Sequence, residues 1–96
     1  MKLTDLIAIV AQVTEQPEAK VKEALETAVE VMAEALADHE SVRLPGLGRL
    51  EVRQVGLPRV VRLAPYLQTR EMAPHAVRFR AVKRLRNEVN IRSAYV

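Results

Sequence analysis

Ninety-six residues make one small domain, and a chain this short buries a marginal core unless it is stapled or dimerises. The absence of cysteine excludes a disulfide framework and a thiolate metal site and fits a reducing cytoplasm, while the lack of any run of about 18 apolar residues leaves no membrane span. The net charge of +3 joins two unlike halves: residues 1–40 hold three lysines against nine acids (net −6), and residues 41–96 hold twelve Lys or Arg against Glu51, Glu71 and Glu88 (net +9).

The apolar patch within residues 1–16 carries Asp5 and lacks a cleavage site, so it reads as a helix and not a signal peptide. Thr4 is the expected N-cap, with Asp5 favourable in the first turn. Leu6, Ile7, Val10 and Val13 then recur at helical spacing. Thr14 to Pro17 breaks the pattern, and Pro17 suits the first turn of a second helix, where its missing N–H costs nothing. That helix is expected from about Pro17 to about Asp38. Its apolar stripe is Val21, Ala24, Leu25, Ala28, Val31, Met32, Ala35 and Leu36, and Glu23, Glu26, Glu30 and Glu34 lie opposite. The two helices form an αα-hairpin. The stripe is wider than one short partner helix covers, which points to a second subunit; a helix lying one-sided over a sheet would show the same stripe.

From Ser41 the period changes to two. Val42 and Leu44, then Leu47, Leu50, Val52 and Val55, describe a hairpin of Val42–Leu44 and Leu47–Val55 around the Pro45-Gly46 turn. Gly56-Leu57-Pro58 interrupts the second strand, Arg59 to Leu63 resumes it, and Ala64 to Leu67 is a turn region. Thr69 to Arg80 is expected to return as one strand. A ribbon this long with few aromatics has little core to cover, so it should project. Its charges and its prolines Pro58, Pro65 and Pro74 protect the edges from aggregation. Ala81 to about Asn90 is expected as a short last helix, with Val82, Leu85 and Val89 inward and Lys83, Arg84 and Arg86 outward, followed by a tail from Ile91.

Eleven of the twelve C-terminal cations are arginine, whose planar donor fork suits phosphate. A GC-rich genome explains arginine over lysine equally well, but it does not explain why the cations segregate into one half. Segregation points to a polyanion-binding half on an acidic scaffold.

The string Val42-Arg43-Leu44-Pro45-Gly46-Leu47-Gly48-Arg49-Leu50-Glu51-Val52-Arg53 resembles the central signature of the HU/IHF family of histone-like bacterial DNA-binding proteins. The helical hairpin before it, the ribbon after it and Arg78-Phe79-Arg80 leading into a basic helix extend the resemblance over about residues 1–90. It implies an α+β fold: an N-terminal helical hairpin, a three-stranded antiparallel sheet with a protruding β-ribbon arm, and a short C-terminal helix, in an intertwined homodimer. Within one domain, 1–40 would be the dimerisation hairpin, 41–80 the sheet and DNA-binding arm, and 81–96 the last helix and tail. The implied function is nucleoid-associated, cytoplasmic and architectural: binding double-stranded DNA with little or no sequence specificity and bending it, with a proline near the arm tip wedged between base pairs.

Carried over position by position, Arg49 lies in the signature and Arg53 near the arm base. Arg78 and Arg80 flank Phe79, itself expected in the core of the sheet–helix junction. Lys83 and Arg86 would meet flanking phosphates. Arg59, Arg62 and Arg70 are arm cations by position, and Pro65 is the candidate wedge. Tyr66 reads as an exposed tip residue, with base stacking the sharper alternative.

Three departures mark this chain. The tip Ala64-Pro65-Tyr66-Leu67-Gln68-Thr69 lacks the family's turn glycine. Pro65 sits about two residues late relative to an alignment anchored on Gly46, while Phe79 stays in register, so the arm needs a bulge or a different tip. Ala81-Val82 stands where Pro-Gly usually opens the last helix. The arm is also more apolar than the family's, with Val60, Val61, Leu63 and Leu67. Two alternatives to DNA bending therefore stay open: the scaffold uses its arm for protein–protein interaction, or it binds DNA without bending it.

No serine–histidine–acid set and no phosphate-cradling glycine loop points to catalysis; Ser41 and Ser93 lack a nucleophile context. His39 and His75 are distant in sequence and bring no further ligands, so neither a metal nor a cofactor is expected, nor a small-molecule ligand or a membrane partner.

Overall fold

The computed structural model describes residues 1–62 and 69–94, with side chains described outside 60–72. The chain forms two compact units, Met1–Ala35 and Leu36–Val96.

The first unit is a helical hairpin. Helix α1 spans Leu3–Thr14 and helix α2 spans Glu18–Ala37, the latter running to the unit boundary and past it. Ile7 and Ala11 of α1 meet Val21 of α2, with Val10 and Leu25 packed alongside. These three are the only buried hydrophobic side chains among the described residues. Much apolar surface stays uncovered in the single chain: Val31 of α2 is 62 % exposed and Val13 of α1 is 77 %, while Met32, Ala35 and Leu36 are partly buried.

In this unit one helix end differs from expectation. Thr4 lies inside α1, and Lys2 takes the N-cap position. Asp5 supplies the cap in reverse: its carboxylate accepts the backbone N–H of Lys2 at 3.0 Å, which satisfies a donor that a threonine cap would leave open. At the other end Glu15 adopts the left-handed region (φ 55°), and the N–H of Gln16 reaches back to the Ala11 carbonyl at 3.0 Å. This is a Schellman closure, usually made by glycine. Pro17 precedes α2, and its carbonyl accepts the N–H groups of Lys20 and Val21. His39 ends the helical part, also left-handed at φ 63°.

In the second unit, β1 (Val42–Leu44), β2 (Gly48–Gln54) and β5 (His75–Ala81) form an antiparallel sheet in the order β1-β2-β5. Leu44 to Leu47 is the turn between β1 and β2, closed by Leu47 N–H to Leu44 O at 3.0 Å. Gly46 takes φ +85°, the left-handed third position that Pro-Gly turns require. Strands β3 (Arg59–Arg62) and β4 (Thr69–Met72) pair as a separate two-stranded ribbon.

The returning strand is therefore not continuous, as expected for Thr69 to Arg80, but broken at Ala73-Pro74. Proline has no N–H for the ladder; its carbonyl instead accepts Val55 N–H at 2.9 Å. Between the sheet and the ribbon the outgoing chain spends four residues, 55–58, and the returning chain two, 73–74. The pairing moves accordingly, from Gln54↔His75 to Arg59↔Met72. This two-residue offset is a bulge, one of the two alternatives that the late position of Pro65 left open; the tip lies outside the described residues.

Helix α3 spans Lys83–Ser93, starting two residues later and ending later than expected. Ala81 completes β5, and Val82 stays extended because its N–H is held by Leu47 O at 2.9 Å. Arg92 to Glu88, one turn apart at 3.1 Å, supports the additional C-terminal turn.

Candidate nucleic-acid interface

Strand alternation sorts the sheet of the second unit into two faces. Val42, Leu44, Leu50, Val52, Val77 and Phe79 share one, through the pairs Val42↔Leu50, Leu50↔Phe79 and Val52↔Val77. The other face carries Arg43, Arg49, Glu51, Arg53, Arg78 and Arg80. Arg43, Arg49 and Arg80 occupy a single rung across all three strands. In the next rung Glu51 stands opposite Arg78, and Arg53 follows on β2.

Like charges directly opposite one another weaken a sheet. Three arginines in one rung are therefore a local cost to folding, offset in part by Glu51. Its side chain is 15 % exposed and sits among three guanidinium groups: Arg49 Nη2 at 3.4 Å from Oε2, Arg53 Nη2 at 3.3 Å from Oε1, and Arg80 Nε at 4.0 Å from Oε1. Oε1 is buried without a hydrogen-bond partner. The arginines themselves keep much of their surface open to solvent.

Gly48, paired with Leu44 and Ala81, sets the strand spacing in the rung beside the arginines. A Cβ there would run into the backbone carbonyl of Arg80 and lie 2.7 Å from the Phe79 ring, so β2 and β5 approach closely only because the position is glycine.

The other cations foreseen from the sequence fall into two groups. Lys83 and Arg86 lie one turn apart on α3, and Arg86 borders an open hollow shared with Arg80, so the helix extends the basic surface past the edge of β5. Arg59, Arg62 and Arg70 hold strand positions in the β3–β4 ribbon. Pro65, Tyr66 and Leu67 lie outside the described residues. Arg43 was absent from the set expected to touch DNA. Its signal was legible: Val42 and Leu44 point to the apolar face, so period two sends Arg43 to the face of Arg49.

Phe79 lies on the apolar face but is 51 % exposed, and Val77 is 57 % exposed. The core role expected of Phe79 is not met in the single chain. His39 and His75, distant in sequence, are neighbours in space, their ring centroids 4.6 Å apart, with His75 Nδ1 at 2.7 Å from Ala73 O. No cluster of three or more metal-ligating side chains occurs among the described residues, and no described helix is long and apolar enough to cross a membrane.

A family model described as bacterial DNA-binding protein matches residues 1–90. Among solved structures, the chain is similar to an HU mutant from Thermotoga maritima at 27 % identity, covering 93 % of this chain and 99 % of that one, with a TM-score of 0.69. It is equally similar in sequence to HU in an Anabaena HU–DNA cocrystal structure, at 27 % identity, 93 % and 97 % coverage and a TM-score of 0.72. No curated protein sequence matches it.

Proposed function

The chain belongs to the HU/IHF family of bacterial DNA-binding proteins, and from that premise we propose that two copies entwine, lay their arginine-bearing sheet faces against duplex DNA and bend it with their arms. The role is architectural and nucleoid-associated, with no chemistry performed on the DNA. The observation that carries the reading is the rung Arg43, Arg49 and Arg80 with Arg53 and Arg78 beyond it. A row of mutually repelling cations is unfavourable in the free protein and favourable against a line of phosphates. The structural likeness to an HU crystallised with DNA supports DNA as the polyanion.

Burial supports the dimer. Three buried hydrophobic side chains among the described residues make a small core for a domain of this length, and each unit leaves apolar side chains exposed, around Val31 in one and Phe79 in the other. A second chain offers the same faces in return, which is the self-complementary arrangement of a two-fold dimer.

Pro65 is assigned the wedge. Insertion of an apolar side chain at a base step unstacks it and kinks the duplex, the cost being offset by the longer wrapped surface. Arg59, Arg62 and Arg70 flank it as phosphate-binding cations of the arm, while Arg49, Arg53, Arg78 and Arg80 serve the sheet face and Lys83 and Arg86 its margin.

The test is a duplex titration followed by fluorescence anisotropy across a range of salt. Wild type should bind at low ionic strength with a steep salt dependence. Arg49→Ala, Arg53→Ala or Arg80→Ala should each flatten the slope by about one for every phosphate left without its arginine. Absence of binding at low salt would overturn the proposal. A doubly labelled duplex read by FRET then separates bending from binding: Pro65→Ala should bind with a reduced bend.

A further inference from the structure

Glu51 is the only acid on the cationic face of the three-stranded sheet, and it occupies the middle of that face. Three features of its surroundings are unusual for a structural ion pair. It faces three guanidinium groups at once, yet the distances of 3.3 to 4.0 Å exceed those of charge-assisted hydrogen bonds, about 2.7–2.9 Å. Its Oε1 is buried and accepts no hydrogen bond. Its arginine partners stay substantially exposed, with donors to spare, while the carboxylate is mostly covered.

A carboxylate held this way gathers cations without locking them. Arginine presents five N–H donors, and one carboxylate cannot satisfy three such groups. The guanidinium groups are therefore collected over the sheet and left under-bonded. A backbone phosphate accepts the same bidentate guanidinium recognition and arrives from the solvent side, where those donors are open.

We propose that Glu51 is an internal phosphate surrogate: a positioning residue that holds Arg49, Arg53 and Arg80 together in the free protein and surrenders them to phosphates when the duplex docks. The inference rests on the assignment of this face to DNA. It adds that the face carries its own competitor, which cancels one cation per protomer. Glu51 thus lowers affinity for any polyanion and limits the repulsion within the arginine rung until DNA replaces it.

The consequence runs against the usual effect of altering a residue in a binding face. Glu51→Gln keeps the shape and removes the charge. It should bind duplex DNA severalfold more tightly at low salt, with a salt slope steeper by about one per protomer, because one more cation is free to neutralise a phosphate. Its melting temperature should fall, as the arginines lose their only counter-charge on the face. Glu51→Asp, which retains the charge on a shorter stem, should keep the wild-type slope.

Binding by Glu51→Gln that is equal to or weaker than wild type, at an unchanged slope, would overturn the surrogate role. If that variant does not fold, the wild type decides. The side-chain carboxyl 13C resonance of Glu51 should shift on saturation with duplex as its partners leave, and an unchanged resonance in a DNA-bound protein overturns the proposal. Failure of the wild type to bind DNA at all is a different result, because it removes the assignment of the face and not only the role of Glu51.

Discussion

Two backbone positions show how single residues constrain this fold. At Gly48 any side chain meets the Arg80 carbonyl and the Phe79 ring, so Gly48→Ala forces β2 and β5 apart at the rung next to the one that carries the arginines. Overpacking of this kind costs about 1–3 kcal/mol, and chemical denaturation should show a drop in stability of that size. Glu15 gives the opposite case. It holds a left-handed conformation that costs an L-residue roughly 1–2 kcal/mol, and glycine adopts it freely at some entropic cost of its own. Glu15→Gly should therefore stabilise the protein by about 0.5–1 kcal/mol, read as a raised denaturation midpoint. Gly46 was recognisable beforehand from Pro-Gly, because the turn chemistry is local. The strain at Glu15 was not, since nothing in Thr14-Glu15-Gln16-Pro17 distinguishes a left-handed closure from an open loop.

At the scale of elements, the arm base is the distinctive feature. Four residues against two between the sheet and the ribbon shift the pairing by two places. Extra residues on one strand bend and twist a ribbon, so the offset aims the arm. Deleting Leu57 and Pro58 should equalise the two connections. The shortened protein is expected to retain its salt-dependent affinity, because the arginines proposed to meet phosphates are all kept, and to change its bend angle by FRET; an unchanged bend would mean that the offset does not direct the arm. The boundaries of β1 and the centre of β2 followed from period-two alternation. The break at Ala73-Pro74 and the late start of α3 did not, because both depend on partners across the sheet: Val55 at one site and Leu47 at the other.

The whole molecule is governed by how little a single chain buries. With Ile7, Ala11 and Val21 as the buried hydrophobic side chains among its described residues, the single chain has a small core, which the proposed dimer would enlarge. The thermal midpoint should then rise with protein concentration, and sedimentation should give a dimer at micromolar concentrations. Val31→Asp, placed on the open face of α2, should abolish the dimer and with it the cooperative melt. A concentration-independent midpoint with a monomeric mass would contradict the entwined arrangement. The wide stripe of α2 already pointed to this requirement, because more apolar surface was written into the helix than α1 has area to cover.

Much of this protein is legible in its residues taken in order. Helical spacing from Leu6 to Leu36, alternation from Val42 to Val52, and the collection of arginines after residue 41 together specify two helices, a hairpin and a cationic half, since each depends on neighbours a few places apart. Tertiary structure decided what lies side by side. Pairing of β2 with β5 brought Arg80 beside Arg49 and put Glu51 among arginines from two strands. Separations of about thirty residues along the chain carry no local signature, and the field at that carboxylate arises from register, which only the assembled sheet sets.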